Sequence, residues 1–104
     1  FLIFIPIQAQ ISYDDLALKR CNNDTEWSIH GLWPEYNQSS WPQYCNSSRY
    51  ADFTPNSINS FIEFMNKYWY ACSQNGRNWD FWKHEWNKHG TCQPYPPSIY
   101  FHNT

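Results

Sequence analysis

Four cysteines, Cys21, Cys45, Cys72 and Cys92, are spread along a chain of 104 residues, and they limit its folding more than any other feature. No CxxC pair is present. Zinc sites usually draw on close ligand pairs, so the cysteines read as two disulfides. Four cysteines allow three pairings, and their spacing does not choose among them. A chain of this length makes at most one domain with a modest core. Each bridge is expected to contribute about 2–4 kcal/mol.

Rings supply much of the rest. Aromatic residues form 21% of the chain against 15% charged, which excludes a disordered chain and points to a core or groove built from rings. The net charge of -2 offers no general basic patch for tight nucleic-acid binding. An enzyme that releases its product needs only a few cations at its site. Asn23-Asp24-Thr25, Asn37-Gln38-Ser39 and Asn46-Ser47-Ser48 are glycosylation sequons. With the cysteines they point to a secreted chain, or one held in the vacuole or endomembrane lumen. The apolar run through Phe1-Leu2-Ile3-Phe4-Ile5 to Ala9 reads as a signal-peptide remnant over residues 1–9, with a buried strand as the alternative. It is too short for a membrane span.

Tyr13 to Leu18 reads as a short strand, and Asn22-Asn23-Asp24 as a turn. In Trp27-Ser28-Ile29-His30 strand alternation puts Trp27 and Ile29 on one face and Ser28 and His30 on the other. Gly31 and Pro34 are expected to end regular structure there, and a polar loop runs from Asn37 towards Cys45. Thr54 and Pro55 fit the N-cap and first position of a core helix carrying Ile58, Phe61, Ile62, Met65 and Trp69. Asn75-Gly76 is a turn signal. Beyond Cys92, Pro94, Pro96 and Pro97 are expected to keep helix out. No internal repeat or second domain is visible.

The stretch Phe81-Trp82-Lys83-His84-Glu85-Trp86-Asn87-Lys88-His89-Gly90-Thr91-Cys92 concentrates acid, base and cation in a helix beginning near Asn78 or Asp80. Spacing of four puts Glu85 beside His89 and His84 beside Lys88. Trp79, Trp82 and Trp86 form a stripe that can be buried, and Gly90 suits a left-handed C-cap. His84-Glu85 and His89 superficially resemble HExxH, but the histidines are five apart and share no helix face, so zinc is not expected. Phosphodiester transfer in RNA needs a base for the 2'-hydroxyl, an acid for the leaving oxygen, stabilisers for the phosphorane and a surface for the bases. His30, His84, His89, Lys88 and the rings could supply these without a cofactor. Structural or surface histidines are the plainer alternative.

Trp27-Ser28-Ile29-His30-Gly31-Leu32-Trp33-Pro34 and the Phe81 to Cys92 stretch resemble the two active-site signatures of the ribonuclease T2 family. Tyr13-Asp14 with Leu16 and Leu18 more faintly resembles its first strand. The cysteine layout is similar to the plant branch of S-RNases and S-like RNases, and the slight acidity leans towards the S-like group.

The resemblance implies an α+β fold, an antiparallel sheet flanked by helices, truncated on its C-terminal side, with residues 10–104 forming a partial domain. It implies a metal-independent endoribonuclease of low base specificity. Single-stranded RNA would be cut by transphosphorylation through a 2',3'-cyclic phosphate. By the same resemblance His89 is the general base and His30 the general acid. Glu85 and Lys88 stabilise the pentacovalent phosphate, and His84 binds phosphate. Trp33, Phe81 and Trp41 fall at base-stacking positions, with loop packing the alternative for Trp33 and Trp41. Trp27, Trp82 and Trp86 are assigned to the core. The implied bridges are Cys45–Cys92 and Cys21–Cys72. The expected state is a monomer, with protein partners if the chain is an S-RNase. The competing reading is a non-catalytic secreted protein that binds RNA, glycan or a protein.

Overall fold

The computed structural model describes residues 10–73 and 77–104. The apolar run at 1–9 and the Asn75-Gly76 turn lie outside them. Strand β1 (Tyr13–Lys19) pairs antiparallel with β2 (Ser28–Glu35). Asn23, with a φ of 75°, turns the chain between them. The register is interrupted: Ala17 lies opposite Gly31, but Leu18 lies opposite Ile29. His30 is therefore the extra residue of a bulge, which reverses the alternation of side chains.

The bulge overturns the expected division of faces. Ser28 is buried and Ile29 packs against the core, while His30 is left half-exposed. Trp27 precedes the strand and is 64% exposed, with the Arg20 guanidinium 5.6 Å from its ring centroid. It is not a core residue. Gly31 and Pro34 lie within β2 instead of ending it. A two-stranded sheet has only edge strands, the setting in which proline is tolerated.

The core gathers Phe53, Ile58, Met65, Trp69, Trp82, Trp86, Tyr100 and Phe101. The helix expected from Thr54 arrives in pieces: 3-10 turns at Pro55–Ser57 and Asn59–Phe61 precede α1 (Ile62–Tyr68). Asn56, Ser57, Asn59 and Ser60 offer the backbone local hydrogen bonds that compete with a continuous helix. One such bond is made by the Thr54 amide, which donates to Ser57 Oγ at 3.1 Å. The apolar spacing still delivers Ile58, Met65 and Trp69 to the core.

Helix α2 (Asn78–Lys88) buries Trp82, Glu85 and Trp86, and Trp79 stacks on Phe53 at 4.4 Å. Gly90 does not adopt a left-handed conformation; it opens a 3-10 turn, Gly90–Cys92. Its requirement is space, since a Cβ there would lie 2.3 Å from Trp86 Cε3. A further helix, α3 (Pro97–His102), forms despite the prolines, because Pro97 occupies the first turn, where a missing N–H is harmless. Disulfides join Cys21 to Cys72 and Cys45 to Cys92. The architecture is α+β, a two-stranded antiparallel sheet with helices packed on it. No helix among the described residues is long and apolar enough to cross a membrane.

Candidate active site

Glu85 points from α2 into the protein with its side chain only 1% exposed, and two imidazoles flank it. Its Oε1 is 3.5 Å from His30 Nε2, and its Oε2 is 3.7 Å from His89 Nε2. Trp33 donates its indole N–H to the same Oε2 at 3.0 Å. The β2 bulge brings His30 to this carboxyl, and the core fixes the bulge, since Trp69 Nε1 donates to the His30 carbonyl at 2.8 Å. Gly31 is required by the close approach: an added Cβ would lie 2.3 Å from Glu85 Oε2 and 2.7 Å from Trp33 Nε1. The Trp33 ring stacks on His89 at 5.0 Å and meets the His30 ring edge-on at 5.0 Å. Phe81 packs against His30 from one helical turn before Glu85, at 5.6 Å.

Burial sets the charge states. It raises Glu85 to about 7, against the opposing pull of the Trp33 hydrogen bond, Lys88 and Lys19. Burial lowers His89 to about 3, assisted by Lys88, His84 and His30. Protonating His89 would also leave a donor without an acceptor, because its Nδ1 is buried and has no hydrogen-bond partner. Its neutral form, the form a base needs, is therefore favoured near pH 7. His30 is lowered by burial, then by Lys19, His84 and Lys88. His84 is lowered by burial and by Lys88. A cavity of about 270 Å³ opens beside these groups, lined by Asp15, Trp33, Glu35, Trp41, Lys88 and His89.

The profile of the Ribonuclease T2 family matches residues 8–104. The chain belongs to this family. Ribonuclease T2 of Aspergillus oryzae is 41% identical over 80 residues, which are 71% of this chain and 28% of that protein. The intracellular ribonuclease LX of Solanum lycopersicum is 42% identical over 81 residues, 75% of this chain and 32% of that one. The fold matches the crystal structure of RNase NT in complex with 5'-AMP, with TM-score 0.65 and 39% identity over 76% of this chain and 38% of that one. Ribonuclease MC1 from bitter gourd seeds gives TM-score 0.65 at 30% identity, over 78% and 41%. The chain thus spans about a third of the length of the curated relatives it matches.

In this T2-family chain, His30, Glu85, His89, Trp33 and Phe81 converge on one site. Lys88 and Trp41 reach it along the cavity wall, where Trp41 remains 53% exposed. His84 lies on the exposed side of α2, its ring edge-on to Tyr44 at 6.3 Å. The Cys45–Cys92 bridge joins the segment after β2 to the turn that follows His89. Asn23, Asn37 and Asn46 are all exposed. Among the described residues, no group of three or more His, Cys, Asp and Glu could hold a metal ion.

Asp15, Lys19 and Glu35 are additions that sequence reasoning missed. Asp15 and Lys19 share one face of β1, but the expected strand stops at Leu18, one residue before Lys19. Strand alternation extended by one residue would have paired them. Glu35 is buried at the end of β2, and its carboxyl is raised by burial and by Asp15.

Proposed function

We propose that the chain carries the catalytic groups of an endoribonuclease that cleaves single-stranded RNA, with little base preference, through a 2',3'-cyclic phosphate. The observation that carries this reading is the Glu85 carboxyl set between two imidazoles at 3.5 and 3.7 Å. Neutral His89 takes the proton of the ribose 2'-hydroxyl, and the freed oxygen attacks phosphorus. His30 gives its proton to the departing 5'-oxygen as the P–O bond breaks. The substrate's anionic phosphate and Glu85 favour the protonated form of His30 that this step needs. Lys88 and Glu85 stabilise the pentacovalent phosphate, and His84 binds a phosphate from the outer face of α2. Trp33, Trp41 and Phe81 offer ring faces to the bases. Trp33 is already fixed by Glu85 and His89, which makes it a rigid platform. Since protein side chains supply the acid, base and cation, the reading needs no metal.

RNA cleavage in the presence of EDTA tests it. Cyclic-phosphate products that disappear in His89→Ala support catalysis, and no cleavage by the native chain refutes it. A second reading, a non-catalytic protein that binds RNA, glycan or a protein, is separated by the same assay. Under that reading RNA is retained but not cut. We place the chain, as a monomer of the S-like group, in an oxidising compartment, supported by its two disulfides. The tomato relative is named intracellular, so the lumen of an endomembrane compartment suits both observations. Glycans on Asn23, Asn37 and Asn46 would be read from a mobility shift on deglycosylation.

A further inference from the structure

We propose that Lys19 is a positioning residue of this site: its ammonium, held beside the Phe81 ring, makes the proton on His30 easier to release to a leaving oxygen. The inference rests on His30 as the proton donor.

Lys19 ends β1 opposite Ser28, and its side chain runs inward instead of into solvent. The ammonium donates to the Tyr70 carbonyl, to Ser28 Oγ at 3.3 Å and more weakly to Cys21 Sγ at 3.9 Å. Its three donors are therefore occupied within the protein, which favours action through the field over contact with RNA. The Nζ lies 5.0 Å from the centroids of both Tyr70 and Phe81. Phe81 also touches His30, so one ring has the ammonium and the imidazole as neighbours.

The anchors of Lys19 are built in. The Cys21–Cys72 bridge ties the end of β1 to the segment that carries Tyr70, and the Tyr70 hydroxyl donates to Asp24. Asp24 and Glu85 favour the charged ammonium against the effect of its burial. His30 therefore sits between opposing charges. Glu85 Oε1 on α2 lies 3.5 Å from its Nε2, whereas Lys19 on β1, with His84 and Lys88 on α2, pushes its proton away. His89 lies beyond Glu85, and the other faces of His30 meet the rings of Trp33 and Phe81. Rings screen charge less than water does, so Lys19 acts on His30 more strongly than a surface lysine would.

The test is an NMR titration of the His30 ring signals in the 104-residue chain without RNA, assigned by loss of the signals in His30→Ala. Lys19→Met and Lys19→Gln remove the charge, and glutamine retains a donor for the Tyr70 carbonyl. Both variants are expected to weaken His30 as an acid by on the order of three- to tenfold in dissociation constant. Lys19→Arg should restore it. An unchanged His30 titration in whichever neutral variant keeps the native circular dichroism spectrum would overturn the proposal. So would an equal shift in Lys19→Arg, which would mark a purely structural role. Failure of RNA cleavage by the native chain would refute the catalytic reading while leaving this titration to stand by itself.

Discussion

Glu85 lies under Gly31, where an added Cβ would come within 2.3 Å of its Oε2. Gly31→Ala must push the carboxyl aside or deform the bulge. We expect it to destabilise the chain by about 1–3 kcal/mol and to lower cleavage more than it lowers nucleotide affinity, as measured by urea denaturation and steady-state kinetics. The same carboxyl opposes stability at high pH. Its value in the folded chain is about 7, against an ordinary 4.5, so between these limits the native state binds more protons than the unfolded one. Its contribution is present below 4.5 and is lost as pH rises through about 7. His89 has the opposite sign. It is lowered from 6.5 to about 3, so its contribution is present above 6.5 and is lost as pH falls towards 3. Glu85→Gln removes the first effect. It should be more stable than the native chain at about pH 8, by on the order of 3 kcal/mol, and the gap should close in acid. Cleavage should fall at least about a hundredfold. A Glu85→Gln chain less stable than the native one at the higher pH would contradict this account. Much at this scale was legible in the sequence: the Glu85 and His89 pair follows from helical spacing alone. The seat of Glu85 under Gly31 was not, because it depends on how close β2 comes to α2.

The two elements that carry the proposed chemistry differ in how local their causes are. Helix α2 follows from its own residues, since the spacing of Trp82, Glu85, Trp86 and His89 is a property of the helix itself. The His30 bulge follows from pairing with β1 and from the hydrogen bond that Trp69 donates to the His30 carbonyl at 2.8 Å. Trp69→Phe keeps the ring and deletes the donor, leaving a carbonyl without that partner. The expected loss of stability is about 1–3 kcal/mol, with a larger fall in cleavage rate than in binding, because His30 loses its support. Equal rates in native and variant chains would show that β1 pairing alone holds the bulge. Cys92→Ser acts at the other end of α2 by releasing the Cys45 segment from the turn after His89. A loss of about 2–4 kcal/mol is expected from the broken bridge. A shifted Trp33 indole N–H signal in NMR, assigned by its loss in Trp33→Phe, would report that the stack on His89 had loosened.

Among the described residues of the whole molecule, one face of β1 is left exposed, with Leu16 53% and Leu18 51% exposed on a two-stranded sheet. Open strand edges with apolar side chains invite pairing between copies. Leu16→Lys with Leu18→Lys should therefore reduce concentration-dependent light scattering while changing the unfolding midpoint little. A large loss of stability would show that the face is already engaged. The family, the α+β class and the core stripe of α2 could all be read from the sequence, because they rest on long motifs and local spacing. The family resemblance implied both bridges, but the tertiary structure decided that His30 sits on a bulge, that Trp27 stays outside the core, and that Lys19, Asp15 and Glu35 border the site. Each of these depends on strand register and on approaches between distant segments, which no local pattern of residues encodes.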